Sequence, residues 1–162
     1  MLPDSEWNQA ITRCRGSIVY LVLLGAFMLV GQSKTIAAAW TPALLYASFS
    51  YVWVFAVGFD ALVPKIRKVL ALILDNLIFG FGFYVGEAGF VLVFWAPIFA
   101  AIGYGLRFGI RYGIFSLLFG GILISLAVMI SPYWQAQPLI AIGVIMSFYG
   151  VAPLRCSFGK TH

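Results

Sequence analysis

Six long apolar runs, separated by short polar breaks, take up most of this 162-residue chain. Hydrophobic residues make up 63% of the sequence and charged residues only 9%, which leaves too little polar surface for a soluble domain of this length. Inside hydrocarbon, backbone N–H and C=O groups have no water partner, so each run must satisfy its own hydrogen bonds as a helix. The sequence therefore predicts an all-α, polytopic transmembrane helical bundle.

The length supports about six spans at roughly 20 residues per span. The predicted spans cover 16–31, 40–63, 69–86, 90–106, 112–130 and 139–154. The break between Arg107 and Arg111 is brief, and if the runs on either side form one bent element, five spans result. The predicted organisation is a polar N-terminal segment (1–15), a transmembrane domain (16–155) and a short basic tail (156–162).

Basic residues collect on one side of the membrane when six spans alternate. Nine of the ten Lys and Arg residues fall there, and only Lys34 falls on the other side. The positive-inside rule makes the basic side cytoplasmic, with both termini, and places Trp40 and Trp134 at the opposite interface as aromatic anchors. Contacts with anionic lipid headgroups explain the net charge of +5 better than nucleic-acid binding does.

Asp75 is the acidic residue that lies within an apolar run. A charge at that depth costs about 3 kcal/mol on insertion scales, so Asp75 should face the bundle interior, be protonated, or pair with a cation. It is either a signal- or proton-responsive site or a structural polar contact, made with Asn76 and a nearby Arg or Tyr. Asp60 is expected to snorkel or to pair with the basic group at 65–68.

Small and basic residues recur at a spacing of four, which places them on one face of a continuous helix. The glycines concerned are Gly82, Gly86, Gly105, Gly109 and Gly113. Such a flat face lets helices approach closely, either within the fold or in a homodimer. Arg107 and Arg111 would share a face that either holds an anionic headgroup or carboxylate or simply anchors the interface. No catalytic, metal or cofactor site is expected, because Cys14, Cys156 and the single His162 show no suitable spacing.

Five stretches of the sequence, taken in order, resemble the membrane input domain of RpfC-type receptor histidine kinases. They are Asp4-Ser5-Glu6 with Gln9, Lys68 to Asp75, Gly103 to Gly109, Ser131-Pro132-Tyr133-Trp134, and Val151 to Leu154. Tyr104 stands where the family commonly has Asn. The resemblance implies a bacterial inner-membrane sensor of diffusible signal factor, a cis-2-unsaturated fatty acid used in two-component quorum sensing. It assigns ligand contact to Asp4, Ser5, Glu6 and Gln9.

The same resemblance implies five spans with the N-terminal segment outside the cytoplasm, whereas the charge count implies six spans with that segment inside. The sequence leaves the side of the N-terminus open. The dimerisation helix, ATP-binding domain and receiver modules of the family have no counterpart in these 162 residues. The expected function is therefore that of an input domain without its own kinase, as a homodimer or paired with a histidine kinase. The alternatives are a small transporter or channel subunit in which Asp75 titrates, and a non-catalytic membrane scaffold.

Overall fold

A computed structural model of the chain describes residues 4–30, 36–91 and 93–151, without the side chains of residues 4, 5 and 151. The described residues form helices and no strand, which confirms the all-α prediction for this part of the chain. The helices are α1 (Asp4–Leu29), α2 (Trp40–Gly58), α3 (Pro64–Val85), α4 (Glu87–Val91), α5 (Ala96–Phe108), α6 (Ile110–Ile130), α7 (Pro132–Gln135) and α8 (Pro138–Val151), with a 3₁₀ turn at Ala37–Ala39.

Four segments are long and apolar enough to cross a membrane. They are Glu6–Leu29, Ala37–Gly58, Pro64–Val85 and Ile110–Ile130. Helices α5 and α8 are apolar but shorter, and the 13 residues of α5 extend only about 20 Å against a hydrocarbon thickness of about 30 Å. A membrane-embedded helical bundle fits these lengths, whereas the count of six spans is not confirmed.

Several helix boundaries differ from the predicted ones: the second span ends at Gly58 and not at 63, and the span predicted at 90–106 is divided between α4 and α5. Pro64, which follows the predicted second span, opens α3, since proline needs no hydrogen-bond partner for its nitrogen in the first helical turn. Lys65, Arg67 and Lys68 therefore lie on the first turns of a helix and not in a loop. The predicted boundary between residues 15 and 16 falls inside α1, so the polar N-terminal residues from Asp4 onward continue directly into the first span.

The chain reverses its direction at Gly109, which ends α5 with φ 103° and ψ 157°. Gly105 and Gly113 then face each other across the α5–α6 hairpin, where a Cβ atom on Gly113 would lie 2.8 Å from the Cα of Gly105. The predicted single face of Gly105, Gly109 and Gly113 is therefore wrong, and so is the shared face of Arg107 and Arg111. The alternative of one bent element across this break is not formed either.

Polar contacts define two ends of the bundle. At one end, Glu6 pairs with Arg67, and the Lys68 ammonium lies 5.0 Å from the centre of the Phe108 ring. At the other end, the Tyr20 hydroxyl donates to the Gly89 carbonyl at 3.2 Å. The start of α3 thus lies beside the start of α1 and the α5–α6 turn, and these basic residues share one end. Lys34, Arg155 and Lys160 lie outside the described residues.

Trp134 lies at the end opposite the basic residues but is not an interface anchor. Its side chain is fully buried, and its indole N–H donates to the Phe83 carbonyl oxygen at 2.7 Å. The Phe83 and Trp134 ring centres are 5.8 Å apart. This tryptophan therefore ties α7 to α3 within the apolar core, and the prediction that it faces the lipid headgroups is wrong.

Candidate functional site

Asp75 lies in the bundle interior on α3 and pairs with Arg13 of α1. The Arg13 Nε atom donates to Asp75 Oδ2 at 2.8 Å, and the Tyr104 hydroxyl of α5 donates to the same oxygen at 2.7 Å. A second guanidinium nitrogen of Arg13, Nη2, donates to the Tyr104 oxygen. Of the arrangements expected for Asp75, the structure has the one in which the carboxylate faces inward and is neutralised by a cation.

Aromatic rings of α2 and α5 surround the guanidinium of Arg13. Its Cζ atom lies 5.9 Å from the Phe49 ring centre, 6.0 Å from that of Trp53 and 5.7 Å from that of Tyr104. Each such contact stabilises a desolvated cation by up to about 2 kcal/mol. Arg13 is therefore held both by its carboxylate partner and by the faces of the rings.

A second ion-pair network closes the basic end of the bundle. Arg67 is buried, and its guanidinium contacts one oxygen of Glu6 and one of Asp60, each at 2.7 Å. The Lys68 ammonium lies 3.3 Å from the other Glu6 oxygen. The expected pairing of Asp60 with the basic group is thus made by Arg67, and the same arginine holds α1 against α3.

Asn76 follows Asp75 in sequence but points toward a different helix. Its amide nitrogen donates to the Ser116 hydroxyl of α6 at 3.0 Å and to the Leu72 carbonyl at 2.8 Å. A Cβ atom on Gly120 would overlap the Asn76 side chain, so α6 approaches α3 closely there. Asn76 therefore fixes the α3–α6 contact and does not join the Asp75 network.

A cavity of about 620 Å³, termed the α1–α5 cavity, separates α1 from α5. Its walls come from one face of α1 between Gln9 and Leu23, from α5 between Ala96 and Arg107, and from α3 at Asp75, Ile78 and Phe79. Gln9 and Leu23 are 14 positions apart, a distance of about 21 Å at the helical rise. The volume falls within the roughly 300–1,000 Å³ of small-molecule pockets.

The two ends of the α1–α5 cavity differ in chemistry. Polar side chains gather at the end nearer the basic residues; they are Gln9, Thr12, Arg13, Asp75 and Arg107. The other end is lined by apolar and aromatic groups, among them Leu23, Phe90, Val93 and Trp95. A molecule with one polar head and one hydrocarbon tail matches this division.

Exposed apolar side chains form the rim of the cavity. Val19 on α1 is 58% exposed, and Phe99 and Leu106 on α5 are 63% and 76% exposed. In a bilayer these side chains face lipid tails, because an exposed apolar surface within a membrane-spanning bundle is covered by hydrocarbon. The cavity is therefore accessible sideways from the membrane, between α1 and α5.

The predicted site residues do not all lie at the same place in the structure. Gln9, Asp75 and Arg107 line the α1–α5 cavity, whereas Arg111 lies exposed on the first turn of α6 and does not line it. Glu6 is buried in its ion pairs with Arg67 and Lys68. Asp4 and Ser5 lie outside the described side chains. Arg13 was not among the predicted site residues but also lines the cavity. It pairs with Asp75, which lies 62 positions away in sequence, so no local pattern indicated it.

The remaining predicted glycines lie in close contacts within the chain. A Cβ atom on Gly82 or on Gly86 would overlap the ring of Phe90. This ring also packs edge-on against Tyr20, with centres 5.6 Å apart, and so closes the apolar end of the cavity. Gly82 and Gly86 therefore shape the cavity by leaving room for the ring that bounds it.

Over the described residues, no three His, Cys, Asp or Glu side chains come together as ligands for a metal ion. Comparison of the chain with protein-family models, with curated proteins and with solved structures found no match.

Proposed function

We propose that this chain is a membrane-embedded sensory input domain that binds a fatty-acid-like signal in the α1–α5 cavity. The observation that supports the proposal is the cavity itself, about 620 Å³, with a polar end, an apolar end and a rim facing lipid. Hydrophobic ligands partition into the bilayer, so sideways access suits a single-chain amphiphile. The resemblance to RpfC-type sensors points to a cis-2-unsaturated fatty acid and to a bacterial inner membrane.

Binding would act on the helices that carry the polar end. Arg13, Asp75 and Tyr104 join α1, α3 and α5 by hydrogen bonds, and all three lie at the cavity or directly behind its wall. A ligand that favours one spacing of α1 and α5 shifts the population toward that spacing. The resulting change would pass to a histidine kinase in a partner protein or to a second copy of this chain.

The alternative, a carrier or channel in which Asp75 titrates, has less support from the geometry. Asp75 is neutralised by Arg13, and protonating the carboxylate would leave the buried guanidinium without its ion-pair partner.

The proposal is tested by filling the cavity. Gly16 lines it on α1, and a Cβ atom there has no neighbour within 4 Å, so Gly16→Leu places a side chain into the open space. We expect the purified variant in nanodiscs to bind a cis-2-unsaturated fatty acid at least tenfold more weakly than the unsubstituted protein.

Gly25→Leu is the matched control. Gly25 lies on the same helix with equally open surroundings but does not line the cavity, so this variant should keep full affinity. Absence of saturable binding to the unsubstituted protein, or an equal loss in both variants, would contradict the proposed function.

A further inference from the structure

Two buried oxygen atoms at the polar end of the α1–α5 cavity have no hydrogen-bond donor among the described residues. They are Asp75 Oδ1 and Gln9 Oε1. Both residues line the cavity, and their exposed fractions are 2% and 5%. Buried polar atoms in folded proteins are nearly always paired, because an unpaired one has lost its hydrogen bonds to water without replacement. Two residues that line the cavity therefore carry acceptors that lack donors.

The donors that reach Asp75 bind its other carboxylate oxygen. Arg13 Nε and the Tyr104 hydroxyl both donate to Asp75 Oδ2, which leaves Oδ1 of the same carboxylate free. The cation and the carboxylate already balance each other's charge. An anionic head placed against Asp75 would bring two carboxylates together, which is unfavourable in a site of low dielectric constant.

We infer that the cavity selects an amphiphile whose polar head carries a hydrogen-bond donor, and that this donor binds Asp75 Oδ1, with Gln9 Oε1 as a second acceptor. The inference rests on the proposed function and narrows its ligand class to single-chain alcohols and un-ionised acids. Asp75 is already shielded from solvent, so a head that packs against it must supply the donor itself or leave the oxygen unpaired.

Arg107 offers a second way to hold the polar head of a ligand, by binding a carboxylate. It is exposed, lines the cavity at its basic end, and is not paired with an acidic side chain of the described residues. A carboxylate held by Arg107 would need no donor on the ligand, because the guanidinium supplies the hydrogens. Probes that differ only in their heads separate the two arrangements.

The test measures binding of dodecan-1-ol, 1-fluorododecane and dodecanoic acid to the protein in nanodiscs, with protein-free nanodiscs subtracted. A fluorine atom is close to a hydroxyl in size but donates nothing. A hydrogen bond to a charged acceptor is worth about 1.5–3 kcal/mol, so the alcohol should bind about tenfold or more tightly than the fluoride. A smaller preference overturns the inference.

The acid distinguishes failure of the inference from failure of the proposed function. If dodecanoic acid binds saturably while the alcohol shows less than tenfold preference over the fluoride, the donor inference falls and a cation-held carboxylate takes its place. If none of the three probes binds, both the inference and the proposed function fail.

The position of the head is tested by a dodecanol that carries a diazirine beside its hydroxyl. Crosslinks at Gln9, Arg13 or Asp75 support the inference, and crosslinks confined to Arg107 or to the outer surface of the bundle overturn it. In the double variant Asp75→Leu with Arg13→Leu, the Asp75 acceptor is gone and no buried charge is left unpaired, so the preference for the alcohol should fall below threefold. A preference that persists there contradicts the assignment.

Discussion

Arg13 is bound on several sides by groups that favour its charge. It donates to Asp75 and Tyr104, and the rings of Phe49 and Trp53 lie about 6 Å from its guanidinium carbon. Removing one member of a buried ion pair costs about 3–5 kcal/mol, because the other charge is left without compensation. Replacing both members by apolar groups avoids that cost.

This argument predicts the outcome of a double-mutant cycle on Arg13 and Asp75. Asp75→Leu alone should lower the free energy of unfolding by about 3–5 kcal/mol, and Arg13→Leu alone by a similar amount. The double variant should lose much less than the sum of the two, since neither charge remains. Unfolding is measured in detergent or bicelles as a function of denaturant.

Arg15→Leu is the matched control for this cycle. Arg15 lies on the same helix, is exposed, and has no ion-pair partner among the described residues, so its substitution should change stability by about 0.5 kcal/mol or less. Additive losses in the Arg13 and Asp75 double variant would contradict the coupling.

At the residue scale, the sequence predicted that a carboxylate at the depth of Asp75 needs a partner, but it did not identify Arg13 as that partner. Insertion energetics require a partner for a carboxylate at that depth, whatever the fold. The identity of the partner depends on how α1 and α3 align over 62 positions, which no local pattern encodes. The pairing of Glu6 with Arg67 was not predicted for the same reason, since the two residues are 61 positions apart in sequence.

At the scale of elements, hydropathy located the helices and misplaced some of their ends. Basic residues after Pro64 resembled a loop, yet Arg67 is buried because Glu6 and Asp60 neutralise it. The four-residue spacing of Gly105, Gly109 and Gly113 predicted that they share one helix face. The spacing in the sequence is identical whether the helix continues through these residues or is interrupted. Only the left-handed backbone at Gly109 distinguishes the two cases.

Gly109 offers a test of that turn. Its φ of 103° and ψ of 157° lie in a region open essentially only to glycine, although a Cβ atom would meet no neighbour within 4 Å. Gly109→Ala should therefore lower the free energy of unfolding by about 1–3 kcal/mol through backbone strain alone.

Gly143→Ala is the matched control, because Gly143 lies within helix α8 and its surroundings are equally open. Alanine is favoured over glycine inside a helix by about 1 kcal/mol, so this variant should be as stable as the unsubstituted protein or more so. Equal stabilities of the two alanine variants would show that the chain does not turn at Gly109 as described.

At the scale of the whole molecule, composition established a membrane-embedded bundle but gave no sign of the α1–α5 cavity. The run predicted as one span at 90–106 is divided between the end of α4 and most of α5, and residues of both helices line the cavity. Its walls come from helices far apart in sequence, and its polar end depends on the pairing of Arg13 with Asp75. Periodicity within one helix cannot report a space between several.

The contacts at the basic end also bear on whether the N-terminal segment lies in the cytoplasm or outside it, which the sequence left open. Because Glu6 binds Arg67, the N-terminal residues and the start of α3 must lie at the same face of the membrane. An N-terminal segment outside the cytoplasm would therefore bring Lys65, Arg67 and Lys68 outside with it, against the positive-inside rule. The charge distribution thus favours a cytoplasmic position for both.

Cysteine labelling of intact cells tests this arrangement in a background with Cys14 and Cys156 replaced by Ser. Lys65→Cys and Arg111→Cys mark the basic end, and Glu87→Cys and Gln135→Cys mark the opposite end; all four positions are exposed. With the basic end cytoplasmic, a membrane-impermeant maleimide should label positions 87 and 135 at once, and positions 65 and 111 only after the cells are permeabilised. The reverse pattern would place the N-terminal residues outside, as the family resemblance implies, and labelling of 65 together with 87 from one side would contradict the bundle as described.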